Sequence, residues 1–252
     1  MPGSLTPQKR SLGLLILLLA IALATSSACK KNVSVATPGP TVAIQIVPSP
    51  TPSVTKVMAL KPAFSGVALS QRDEVLTKII EVTQKRLQSY GVVGQATWDE
   101  SYVRVQVLVN GEEEFESVKG LVSARGNLEF KKRTCKDRSC SNFEDEAVDL
   151  GTEDITKAYP GRNFERPIIN IEFNDHGSQV FCQLTKELAG TPNKFSIFLD
   201  GKELLAPVTK MAICDGKAFI EGADFSAQGV KLLAGQLSGG MLPVEVAVSD
   251  VP

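Results

Sequence analysis

Residues Arg166 to Pro207 constrain the fold most, because three elements and their stops can be read there in succession. Ile168, Ile169, Ile171 and Phe173 form a short apolar run rich in β-branched side chains, which predicts a strand. Asn174 and Asp175 are good N-cap residues, and Val180, Phe181, Leu184 and Leu188 then recur at helical spacing as far as Gly190. Phe195, Ile197 and Leu199 predict a second strand, closed by Asp200-Gly201, the dipeptide of a tight reversal. Leu204 to Pro207 leads the chain back.

The N-terminal end has a different character. Lys9 and Arg10 precede Leu12–Ala24, a run of thirteen uncharged apolar residues. A membrane-spanning helix needs roughly 20, so the run fits the apolar region of a secretory signal. Small residues before Cys29 resemble a bacterial lipoprotein signal, in which the Cys is acylated; Ser26 departs from the Leu preferred there. Cleavage near Ala28 without acylation and an uncleaved anchor are the other two readings. Residues 1–29 are thus expected to be leader and lipidation site. Residues 30–55, rich in Pro, Thr and Ser, are expected to be an extended tether.

Two α+β units are expected beyond it, over residues 56–150 and 151–252. In the first, a strand over Lys56–Leu60 leads to a helix over about Gln71–Tyr90. Ser70 and Asp73 resemble a capping box opening that helix, and Gly91 stops it. Val103, Val105, Val107 and Val109 alternate along a strand, Glu112–Ala124 reads as a helix, and Leu128–Lys131 as a strand. In the second, Met211–Cys214 and Lys217–Ile220 read as a hairpin, Ser226 as a helix cap, and Val244, Val246 and Val248 as a last strand. Each unit fits a ferredoxin-like sandwich, an antiparallel sheet with two helices on one face.

Asn174, Gly177, Phe181, Leu184 and Thr185, followed by Leu199, Asp200, Gly201, Lys202, Ala206 and Pro207, carry a resemblance. In that order they are similar to the periplasmic domain of SecD, a membrane subunit of the bacterial protein-export machinery. Gly126-Asn-Leu-Glu-Phe130, Phe225-Ser226 and Gly240-Met-Leu-Pro243 match further segments of that family. The resemblance implies a base and an inserted head, the head contacting emerging preprotein, with a C-terminal strand that returns to the base. SecD continues into transmembrane helices that use a proton gradient. No such bundle stands in these 252 residues, so polypeptide contact is expected here without motor activity.

Cys135, Cys140, Cys182 and Cys214 are an even set for an oxidising compartment. A local Cys135–Cys140 bridge is expected around Lys-Asp-Arg-Ser, which implies Cys182–Cys214 as the second. Separately buried thiols and a four-thiolate zinc site are the rivals, although paired Cys-x-x-Cys spacing is missing. His176 is the only His and is expected at the surface. Glu112–Glu114 reads as a helix start. Glu144, Asp145, Glu146 and Asp149 read as a solvated loop without a calcium-loop pattern. No phosphate loop or nucleophile elbow occurs, so no enzyme, metal or cofactor is expected. A formal net charge of −1 gives no basic patch for nucleic acid. The expected role is a lipid-anchored extracytoplasmic module that binds exported or unfolded polypeptide beside Sec translocon subunits. The alternative is a structural envelope lipoprotein that binds another envelope component.

Overall fold

Val54–Pro62 (β1) and Tyr102–Val109 (β3) pair antiparallel, and their register sets Val54, Lys56, Met58 and Leu60 opposite Val109, Val107, Val105 and Val103. Strand residues alternate faces, so the valines share one side, and all four are buried there. Val93–Asp99 (β2) flanks β3, and Val246–Asp250 (β11) flanks β1, giving the order β11-β1-β3-β2. Arg72–Tyr90 (α1) and Glu112–Ser123 (α2) bury Ile79, Val82, Leu87, Phe115, Val118 and Leu121 in the same core. The elements β1-α1-β2-β3-α2-β11 make a split βαβ sandwich whose last strand arrives from the far end of the chain. These statements rest on the computed structural model, which describes residues 53–99, 102–223 and 225–251. The leader, Cys29 and nearly all of the Pro-rich stretch lie outside the described residues.

Everything between α2 and β11 forms an inserted lobe with two sheets. Leu128–Cys135 (β4), Phe143–Gly151 (β5), Lys194–Leu199 (β8) and Lys202–Leu205 (β9) make a four-stranded sheet in the order β5-β4-β8-β9. Ile155–Asn163 (β6), Arg166–Phe173 (β7) and Lys217–Glu221 (β10) make a three-stranded sheet in the order β10-β7-β6. Asp175–Leu188 (α3) and Ala227–Gly239 (α4) complete it, α4 packing on α1, β6 and β7. The mixed α/β class with antiparallel sheets is as expected. The second half differs in spreading its strands over two sheets instead of one.

Strand pairing moves the expected boundary at residue 150. β4 pairs with β8 over Leu128–Arg133, so the chain changes sandwich just after α2. The acidic run at Glu144–Asp149 is no loop but part of β5, an edge strand, where charges guard against pairing with other chains. Met211–Cys214 forms no strand, because Ile213 and Cys214 are tied to α3 by a hydrogen bond and a disulfide. The expected capping box is absent too. Gln71 caps α1 without a side-chain bond, and Asp73 and Glu74 sit in the first turn instead.

Four expected caps and turns are present. Gly91 adopts φ 81° after α1, and its N–H bonds Leu87 and Gln88 carbonyls, as a left-handed cap requires. Asn174 and Ser226 cap α3 and α4 through side-chain oxygens that accept from Gly177 and Gly229 N–H. Asp200 and Gly201, at φ 51° and 77°, make the tight β8–β9 turn.

Candidate functional site

The inserted lobe opens on an apolar groove of about 710 Å³. Its floor is aromatic. Phe130 from β4, Phe173 from β7, Phe181 from α3 and Phe195 from β8 form one cluster, with the Phe173 and Phe181 centroids 5.1 Å apart and Phe181 and Phe195 at 5.8 Å in an edge contact. Alternation aims Phe130 and Phe173 inward from their strands. The Asn174 cap fixes where α3 begins, and Phe181 follows at the spacing that faces the sheets. Such pairings add about 0.5–1.5 kcal/mol each beyond area burial, which makes the floor firm.

The opposite wall is the irregular segment 206–216, which contributes Pro207, Val208, Met211 and Ile213. Four ties hold it. Cys214 is bonded to Cys182 on α3. The buried Thr185 hydroxyl accepts the Ile213 N–H at 3.0 Å, Gly190 N–H donates to the Thr209 carbonyl at 3.1 Å, and Val208 bridges to Lys194. The rim exposes Val208, Met211, Phe219 and Tyr159 among Lys210, Lys217, Asp215 and Glu221. Hydrogen bonds from Asn163 and Arg166 hold the Glu221 carboxyl below the usual carboxylate range. A wide apolar floor with sparse charges at its lip suits uncharged side chains. The groove lies inside the lobe, between its two sheets and the 206–216 segment.

The join between sandwich and lobe is closed around one side chain that the sequence reading passed over. Arg86 of α1 is fully buried. Its Nη1 donates to the Leu121 and Ala124 carbonyls at 3.0 and 2.5 Å, and its Nη2 to Arg125 and Gly240 at 3.1 and 2.8 Å. The carbonyl end of the α2 dipole offsets part of the buried charge. Desolvation still lowers its pKa to about 10, with Asp200 acting the other way. The available signal was a single Arg set within the apolar stripe of α1 at Ile79, Thr83, Leu87 and Tyr90.

The other candidate residues fall into separate places. Asp200 Oδ1 accepts the Asn127 N–H at 2.8 Å, and Asp200 N–H donates to the Asn127 carbonyl at 2.9 Å, so this turn pins the crossover into the lobe. Leu199 ends β8, Gly201 completes the turn, and Ala206 leads to Pro207 at the groove wall. Gly177 packs so closely that a Cβ there would meet Asp154 Cβ at 2.7 Å. Cys135 and Cys140 are bonded, and Asp137 inside that loop is lowered to about 2 by bonds from Ser139, Ser141 and Asn142. With all four Cys in disulfides, the zinc rival is set aside. His176 sits on α3, half exposed, its ring 2.8 Å from Asp154 and 3.5 Å from Asp149, and the Asp154 bond raises its pKa. Among the described residues no group of His, Cys, Asp and Glu is arranged to hold a metal ion, and no helix is long and apolar enough to cross a membrane.

Comparison with known proteins follows the same lines. Residues 132–244 match the family model "SecDF, P1 head subdomain". The chain is 29% identical over 178 residues to the protein translocase subunit SecD of Sebaldella termitidis, covering 70% of this chain and 42% of that protein. It is 27% identical over 182 residues to SecD of Dictyoglomus turgidum, covering 71% and 41%. The chain therefore spans about four tenths of the length of these relatives. A SecDF crystal structure in a super-membrane-facing form overlays with TM-score 0.60 at 21% identity, covering 79% of this chain and 30% of that one. A second structure, of a membrane component SecDF that enhances protein export, overlays with TM-score 0.56 over 79% of this chain and 99% of that one. The inserted lobe with its groove falls within the stretch that matches the P1 head model, and the fold as a whole is similar to that of SecDF periplasmic domains.

Proposed function

We propose that this protein is a non-catalytic, extracytoplasmic binding module of protein export, and that its head groove takes up segments of exported or unfolded polypeptide. The observation that carries the reading is the open groove of about 710 Å³ floored by four Phe rings, within a SecD-type head. Unfolded chains expose apolar side chains that folded proteins hide, and such a floor rewards them at about 25 cal/mol per Å² of apolar surface covered. Cys29 anchors the module to the membrane by acylation, and the Pro-rich stretch sets its distance from the bilayer. Sec translocon subunits are the partners that bring it substrate.

The groove is tested by placing a photo-crosslinking residue at Met211, which is exposed on its rim. Crosslinks to a stalled translocating chain are expected, and they should weaken when Phe219→Ser alters the rim. An absence of crosslinks from Met211, together with no binding of a permanently unfolded protein to the purified domain, would refute the reading. Anchoring is tested by mass spectrometry of the mature N-terminus, with Cys29→Ser expected to abolish the lipid.

A further inference from the structure

The shape of the groove specifies how polypeptide would lie in it. All five residues of β10 line it, namely Lys217, Ala218, Phe219, Ile220 and Glu221. Successive strand residues point to opposite faces. Ala218 and Ile220 face the core with Ile171 and Ile169, while Phe219 stands in an exposed row with Asn170 and Tyr159. A cavity touched by both faces of one strand runs along that strand's edge. β10 pairs with β7 on one side only, and among the described residues no strand pairs its other side. Across the groove stand Phe195 and Ile197 of β8 and the tied segment 206–216.

We propose that the head binds polypeptide by strand addition: an extended segment pairs backbone to backbone with the free edge of β10. This rests on the polypeptide-binding reading above and adds its mode. An unpaired strand edge presents N–H and C=O groups in the register of a missing neighbour. A guest strand there sends alternate side chains down onto the Phe130, Phe173, Phe181 and Phe195 floor and the others up beside Phe219 and Tyr159. Backbone pairing supplies affinity independent of sequence, and the floor selects apolar residues at every second position. Helical segments are excluded, because their backbone groups are already satisfied.

Other edges of the lobe are less open to a guest. β6 carries Pro160 and Gly161 and lies under α4, with its Ala158 N–H bonded to Ser238 Oγ. β5 carries Glu144, Asp145, Glu146 and Asp149, and β9 has only four residues. β10 alone among these edges borders the groove along its whole length, with Ala218, Phe219 and Ile220 uncharged between Lys217 and Glu221.

The test uses a synthetic peptide of about seven residues, a usual strand length, alternating Val or Phe with Thr. Two analogues are N-methylated, one at the odd and one at the even positions, and titrated into the full domain by calorimetry. An added strand turns alternate N–H groups toward its host, so one analogue is expected to lose about tenfold or more in affinity and the other to stay near the parent. Hydrogen exchange should slow at β10 amides when the parent peptide binds. If the parent binds and both analogues match it, strand addition is overturned while groove binding survives. If neither the parent nor an unfolded protein binds, the reading beneath it falls as well.

Discussion

Arg86 and Gly240, 154 residues apart in sequence, are joined by a 2.8 Å hydrogen bond from the Arg86 guanidinium to the Gly240 carbonyl. The same guanidinium holds the Ala124 and Arg125 carbonyls, so one side chain grips the chain where it enters the inserted lobe and where it leaves. A planar cation with five donors suits four carbonyls that no carboxylate accompanies.

Replacing Arg86 by Ala would leave those carbonyls without partners in a closed core. The expected loss is about 3–5 kcal/mol of stability, as for other broken buried charge contacts, read from the denaturant midpoint. Arg86→Lys should recover only part of it, because an ammonium cannot reach all four oxygens. A loss below about 1 kcal/mol for the Ala variant would show that the crossovers hold without it.

The close approach of α1 and α4 depends on Gly239, where a Cβ would lie 2.3 Å from Arg86 Cγ and 3.0 Å from the Val82 carbonyl. Gly239→Ala is expected to cost about 1–3 kcal/mol through overpacking, despite the better helix propensity of Ala. Gly120 on α2 is exposed and a Cβ there meets nothing within 4 Å, so Gly120→Ala should gain about 0.5–1 kcal/mol. Thermal unfolding of the pair separates packing from propensity; equal shifts would contradict the packing account.

Loss of the Cys182–Cys214 bond frees the groove wall from α3. The double Ser variant is expected to lose about 2–4 kcal/mol of stability, given a closed loop of 32 residues. Amide exchange over 206–214 should rise more than elsewhere, and groove affinity should fall. Uniformly raised exchange would mean that the bond acts on the whole fold and not on the wall.

His176 makes a pH prediction whose sign follows from its partners. The Asp154 bond, with Asp149 nearby, raises its pKa when folded. The stabilisation is therefore fully present below the unfolded value of about 6.5 and is lost as pH rises through the folded pKa. The stability difference between the protein and its His176→Ala variant should be larger on the acid side of neutrality and shrink at alkaline pH. An NMR titration placing the ring at or below the unfolded value would reject this.

Much of the architecture was legible from local signals. The α3 cap at Asn174, the α1 stop at Gly91, the Asp200-Gly201 turn and the β3 valines each announce themselves within a few residues, because caps, turns and alternation are short-range chemistry. β2 was missed because Val93–Asp99 is an edge strand with only Ala96 buried, and a strand exposed on most sides carries weak alternation. β5 was missed because charges that protect an edge look like a loop.

The sequence by itself determined the four helices, the strand–helix–strand core around Phe181 and the similarity to SecD, since each rests on neighbouring residues and their spacing. Only the tertiary structure decided that β4 and β5 join the sheet of β8 and β9, that Arg86 clasps both crossovers, and that all of β10 lines the groove. Those outcomes depend on which strands meet across long stretches of chain. Pairing partners and packing neighbours are chosen by the whole core at once, and no local pattern encodes that choice.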